Sequence, residues 1–242
     1  MQNLRNALFV PHGSPTFALE PGAAGESMSQ LASSLARPRA IVVISPHWDT
    51  AVPNVSTATQ LETIHDFYGF PDALYQIQYP AKGSPEGAQE VVKALQKRFK
   101  QVDTAPSRGL DHGAWGVLKP MFPKADIPVL QLSMDYSRPP AEHFALGLQL
   151  HALRSRGVLV VGSGNIVHNL RVTRRGSAAN EAYDWAAEFD TVVQDQIKGG
   201  RLDQLASFQS LGAVAQQAHP THDHYLPLLY AAGAADPQEM PR

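Results

Sequence analysis

Residues 40–47 read AIVVISPH and residues 158–165 read VLVVGSGN. Both begin with at least four consecutive apolar residues, and neither alternates with polar ones as a half-solvated strand would. An unbroken, β-branched run of this kind suits a strand covered on both faces, as strands are inside an α/β sheet. The pattern predicts strands over 40–45 and 157–162. ALFV at 7–10 and IPVLQLS at 127–133 add two more. Helical patterns fall between and after them. They cover 26–36, stopped by Pro38, and 85–99, where Ser84 caps, Pro85 takes the first position and Val91, Leu95 and Phe99 recur every four residues. Further helices are predicted over 140–155, over 178–197 with Trp185, Phe189 and Val193 on one stripe, and over the apolar segment 224–232. Strands alternating with helices predict an α/β fold, a three-layer α/β/α sandwich. Several connections are long, which favours a mixed central sheet over a purely parallel one. No repeat, low-complexity tract or linker divides residues 1–242, so a single domain is expected.

Composition removes several classes of function. With 20 basic and 22 acidic residues the formal charge is −2, and the densest positive stretch is only Arg171, Arg174 and Arg175. No concentrated basic face of the kind nucleic acid needs is present. The chain has no cysteine, which excludes disulfides, thiolate metal sites and a cysteine nucleophile. A metal would have to be held by nitrogen and oxygen, a donor set that iron(II), zinc and manganese accept. The apolar stretch before Pro11 is too short for a signal-peptide core or a membrane span, so the expectation is a cytoplasmic protein without membrane attachment.

The ten histidines carry the functional signal. His12 follows the first strand in PHGSP, His47 follows the second in SPHWDT, His168 follows VLVVGSGN, and His224 closes HPTHDH at 219–224. Imidazole is the commonest metal ligand, and ligands in open α/β sheets bind beyond the carboxyl ends of strands. One such histidine is more simply read as a loop hydrogen-bonding partner, but two with similar proline flanks favour a shared site. Gly13 is read as permitting close backbone approach, and GSG as a turn aiming Asn165 and His168 into the strand-end cleft. The HPTHDH segment would align His222 with His224 if extended, or His219 with His222 or Asp223 if helical. Asp223 is also a candidate cap for the following helix. Asp111 and His112 cannot easily pair within one dipeptide, so His112 is expected to reach across the cleft. HDFYGFP at 65–71 supplies aromatic walls, although such clusters often serve packing alone. His143 and His151, within a predicted helix, are read as structural or solvent-facing.

Taken in order, PHGSP, SPHWDT, TIHDFYGFP, YQIQYPAKGSPE, LDHGAWGVLKPMFP, IPVLQLSMD, GSGNIVHNLR and HPTHDHYLPLLY resemble the DOPA 4,5-dioxygenase type of class III extradiol ring-cleavage dioxygenases, the LigB-like superfamily. The motifs run from residue 11 to residue 230, nearly the whole chain. The resemblance implies a LigB-like fold and one divalent, non-haem metal per chain, with iron(II) for turnover and zinc accepted by the same imidazoles on isolation. It implies His12, His47 and His224 as ligands, with Asp223 an alternative to His224, because another branch of the superfamily closes its site with a carboxylate. His168 would be the acid–base residue and in some relatives touches the metal. His112 would line the cleft and polarise bound oxygen or substrate. The implied partners are a small aromatic diol and O2, and self-association into a homo-oligomer is compatible with the sequence. An imidazole near its ordinary pKa can both take and return a proton at neutral pH. Trp48, Phe67, Tyr68 and Trp115 are candidates to sandwich the ring, and Asn165 to contact substrate oxygen. His222, where relatives of this type usually carry a small residue or proline, is an added imidazole that could bind metal adventitiously.

Two other functions suit part of this pattern. Three histidines with an open position would also activate zinc-bound water in a hydrolase, although no HExxH arrangement accompanies them. The same fold can also persist as a non-catalytic metal-binding protein.

Overall fold

The computed structural model describes residues 7–174, 181–236 and 239. Its core is one six-stranded sheet in the order β1-β6-β2-β5-β3-β4. The strands are β1 Ala7–Pro11, β2 Ala40–Asp49, β3 Asn54–Ser56, β4 Asp103–Ala105, β5 Val129–Met134 and β6 Val158–Gly164. All neighbours are parallel except β3 and β5, so the sheet is mixed, as the long connections implied. The helices are α1 Gly22–Ser34, α2 Asp72–Tyr75, α3 Pro85–Leu95, α4 His112–Met121, α5 Pro140–Arg154, α6 Asp184–Lys198, α7 Ala213–Ala218 and α8 Leu226–Ala234.

The unbroken apolar strands are buried on both faces for the reason their sequence suggests. Val42 and Ile44 of β2, with Val158 and Val160 of β6, face a core completed by residues of α3, α5, α6 and α8. Ile41 and Val43, with Leu159 and Val161, face a second core completed by α1 and α4. These are the three layers expected.

Several boundaries differ from the sequence expectation. Helix α3 ends at Leu95 instead of residue 99, and Phe99 leaves it to lie under the Arg138 guanidinium at 4.8 Å. Helix α1 starts at Gly22 and ends before Leu35, whose backbone turns extended. Helix α6 starts only at Asp184, after an extended Tyr183; positions 178–180 of the predicted helix lie outside the described residues. The larger correction concerns GSG. Gly162, Ser163 and Gly164 are not a turn but the last three residues of β6, paired with β1. A Cβ on Gly162 would overlap the Pro227 carbonyl, and one on Gly164 the His224 carbonyl. These glycines let α8 and the turn before it lie directly on the strand backbone.

Candidate active site

Strands β1, β6 and β2 are parallel and adjacent, so their carboxyl ends fall at one edge of the sheet. Pro11 is paired with Gly164, and the His12 amide donates to the Gly164 carbonyl at 3.1 Å, which places His12 beside Asn165. The β2–β5 register shifts between Ile44 and Asp49, and His47 lies in that irregular stretch. Irregularities of this kind re-aim side chains near functional sites. His224 arrives from the turn ahead of α8, docked by the Asn165 amide donating to the His224 carbonyl at 2.9 Å. His112 opens α4, whose N-cap is the Asp111 carboxylate.

Ligand atoms of His12, His47 and His224 all lie within 4.8 Å of one another, and the Nε2 atoms of His12 and His47 are 3.4 Å apart. Two further groups overlap this cup: His47 with Asp66 and His112, and His168 with Asp223 and His224. His168 therefore sits beside the cup through His224, their rings stacked at 3.5 Å and 10°. Asp223 does not cap α8. It accepts from His224 Nδ1 at 2.5 Å, so here an adjacent Asp–His pair does bond within its dipeptide. Asp111 and His112 do not pair with each other: Asp111 accepts from Ser45, Arg108, Gln131 and the Ala114 amide, while His112 pairs with Asp66. His222 bonds the Tyr136 carbonyl and His219 the Ile166 carbonyl, which leaves His224 as the one histidine of the segment grouped with His12 and His47.

The outward nitrogens fix the tautomers. Ser163 Oγ donates to the Gly113 carbonyl and so accepts from His12 Nδ1 at 3.0 Å. The His12 proton then sits on Nδ1, and the Nε2 lone pair faces inward. Asp223 does the same for His224. Asp66 does it for His112, taking the Nδ1 proton at 3.0 Å and the backbone amide at 2.8 Å. Oxygen acceptors behind the rings are what metal-binding imidazoles ordinarily have. Gly113 has a steric role, because a Cβ there would strike Ser45 Oγ and the His47 ring. Gly13 has a conformational one. Its φ is +60° and space around it is open, so the expected close approach is absent and the residue instead permits a left-handed turn.

Electrostatics keeps His12 and His47 neutral. Burial first, and then the His47, His224, His112 and His168 rings, push the His12 imidazole well below its ordinary value. Burial and His112 lower His47 to about 4 against weaker opposing pulls from Asp111 and Asp66. Burial works against the Asp223 carboxylate, but hydrogen bonds from His224 and Thr221 outweigh it and hold the group well below the carboxylate range. His168 does not keep an ordinary imidazole value: burial and then His224 lower it to about 4.

The aromatic candidates take different places. Phe67 lies 5.7 Å from the His112 ring and contacts Phe70 and Tyr75. Trp115 is fully buried behind it, its indole N–H donating to the Ile64 carbonyl. Trp48 is buried against the Arg108 guanidinium at 4.8 Å, and Tyr68 is 92% exposed. Asn165 accepts from the Gly13 amide through Oδ1, which turns its NH2 toward His12 Nε2 at 3.5 Å. His143 and His151 are structural, bonded to the Tyr230 hydroxyl and the Ala234 carbonyl. Sequence reasoning gave no role to Ser163, Asp66 or Arg108. Only the HDF motif signalled Asp66, and nothing local signalled the others. Next to the cup opens a cleft of about 420 Å³ whose lining includes Asn165, His168, Arg174 and Tyr183.

The chain resembles known proteins over most of its length. Residues 6–242 match the family model described as the catalytic LigB subunit of aromatic ring-opening dioxygenase. A 4,5-DOPA dioxygenase extradiol from Escherichia coli strain K12 is 45% identical over 96% of this chain and 86% of its own length. One of the same name from Beta vulgaris is 38% identical over 96% of this chain and 88% of its own. The crystal structure of an uncharacterized Escherichia coli K12 protein superposes with a TM-score of 0.80 at 38% identity, covering 96% of this chain and 90% of that one.

Proposed function

The chain belongs to the family of catalytic LigB subunits of aromatic ring-opening dioxygenases, and from that premise we propose that it is an extradiol dioxygenase that opens a catechol such as DOPA with O2. The observation that carries the reading is the cup of His12, His47 and His224, with outward nitrogens held by oxygen acceptors on His12 and His224.

LigB dioxygenases use a metal, and the donor set fits one. The three rings are buried or half-buried and close together, and His12 and His47 are held neutral, as imidazole ligands must be. His12, His47 and His224 would hold the ion. Three imidazoles without thiolate suit iron(II), and zinc would occupy the same donors. Bound there, iron(II) supplies the place where catechol and O2 meet and exchange electrons.

The chain's own groups do the rest. His168 takes the proton of a catechol hydroxyl on its ring nitrogen and later returns it to oxygen. A value lowered to about 4 makes its protonated form a stronger acid than ordinary imidazole, which favours the return step. Asn165, its NH2 turned inward by Gly13, donates toward developing negative charge on oxygen, and His112, set by Asp66, does so from the opposite flank. Phe67 backs His112 and limits water there.

The test is anaerobic loading with iron(II), followed by oxygen uptake and absorbance with L-DOPA and simple catechols. One O2 consumed per catechol with a yellow ring-opened product is expected. An iron-loaded protein that consumes none with any catechol overturns the reading. Replacing His168→Gln should cut turnover by roughly 10²- to 10⁴-fold, the usual contribution of a positioned acid–base group, with iron content retained.

A further inference from the structure

A catechol held through its two oxygens turns the opposite edge of its ring away from the imidazoles. A tail on that edge has to leave the cup. The cleft of about 420 Å³ beside it is lined by Asn165 and His168, which border the cup, and also by Arg174, Glu181, Tyr183 and Trp185.

Arg174 is built in an unusual way for an exposed arginine. Its guanidinium lies 3.9 Å from the centroid of the Tyr183 ring. That ring is itself fixed, its hydroxyl donating to the Val172 carbonyl at 2.8 Å and its face stacked on Trp185 at 5.2 Å and 19°. A guanidinium held against an aromatic face still has N–H donors to offer. Among the described residues no carboxylate pairs with that guanidinium, and Glu181 in the same cleft has no cationic partner. An arginine anchored on a fixed ring and without a carboxylate partner is matched by a carboxylate, which a guanidinium can bind through two parallel hydrogen bonds.

We propose that this cleft is the subsite for the ring substituent and that Arg174 receives a carboxylate there. The proposal rests on the ring-opening reading above and deepens it. Glu181, in the same cleft, is placed to meet an ammonium group carried by the same tail. Arg174 acts on specificity, through substrate affinity, and takes no part in proton transfer.

The experiment compares L-DOPA, 3-(3,4-dihydroxyphenyl)propionate and dopamine with wild type, Arg174→Met and Arg174→Lys. Methionine keeps an apolar side chain of similar reach but removes every donor. Lysine restores charge without the guanidinium. The ratio of kcat/KM for either carboxylate substrate over dopamine should fall about 10- to 100-fold in the methionine variant, the loss expected for a charge-assisted pair, and should be carried by KM. The lysine variant should recover part of it. Anaerobic titration of metal-free protein, read by tryptophan fluorescence, should show the same weakening for L-DOPA binding. A ratio unchanged in the methionine variant, while catechols are still opened, overturns the subsite and leaves the ring-opening reading intact. Should wild type open no catechol, the ring-opening reading fails instead. L-DOPA binding that depends on Arg174 in the titration would then still support the subsite, and binding indifferent to Arg174 would refute it.

Discussion

In the imidazole cup, His12 is held by Ser163, His224 by Asp223 and His112 by Asp66, and the elements that carry them are pinned to strand backbone. In the neighbouring cleft, Leu170 is 75% exposed, Arg174 and Glu181 are exposed, and the main fixed feature is one aromatic stack. The two regions share Asn165 and His168 yet are made of different material. Groups that must meet an ion at fixed separation are buried and over-determined. Groups that meet a variable tail stand on a loop, where substitution costs the fold little.

The widest gap between the two regions should appear on removing a cup ligand. His47→Ala should lose bound metal and roughly a thousandfold or more of oxygen uptake, measured by metal analysis and an oxygen electrode. Near-normal values of both would erase the distinction between cup and cleft.

A second prediction asks whether burial alone keeps imidazoles neutral away from the cup. His143 is fully buried, bonded to Tyr230, and lowered by burial to about 4. The folded chain resists protonating it, whereas the unfolded chain protonates it near 6.5. Its contribution is whole above about pH 6.5 and is lost as pH falls toward 4, a change of about 3 kcal/mol by linkage. Denaturant melts at pH 7.5 and 4.5 should show wild type losing more stability than His143→Gln by roughly three quarters of that amount. Equal losses would mean that the buried region does not hold this ring neutral.

Next in size is the support behind a ligand. Asp223→Asn should weaken metal affinity by about 10- to 100-fold, read by competition with a chelating dye, while leaving the fold in place. An unchanged affinity would mean that the Asp223 pairing is incidental. The smallest effect belongs to the surface. Tyr68→Ala should shift unfolding free energy by less than about 0.5 kcal/mol, since its side chain is almost wholly in water. A larger shift would show the aromatic loop to be part of the packed region after all.

How much of this was legible beforehand varies with the range of the cause. The β2 and β6 strands announce themselves because burial on both faces leaves an unbroken apolar run, and β1 and β5 do so through shorter or interrupted apolar stretches. Strands β3 and β4 do not. They are three residues each, and Asp103–Ala105 is largely exposed, so partner strands make them and no pattern of their own does. His12, His47 and His224 could be picked out by their place at strand ends and in a dense motif. Ser163 could not, because GSG reads as a turn until α8 is laid against it and the glycines prove to be making room. Asp66 was quoted only as part of an aromatic loop, since its partner His112 lies far along the chain. Between His224 and Asp223 the sequence could not show which faces His12, because that depends on the backbone turn that sets the ring toward His12 and the carboxylate behind it.

The contact of the His224 carbonyl with Gly164 and the Asn165 amide bears on when the centre comes into being. His12 is synthesised well before His224, and all six strands lie ahead of His224 in the chain. A nascent or prematurely terminated chain can form much of the sheet and still lack the third imidazole. Only when α8 docks on β6 does the cup close. The order of synthesis thus delays the grouping of the three imidazoles until every strand of the sheet that carries them has been made.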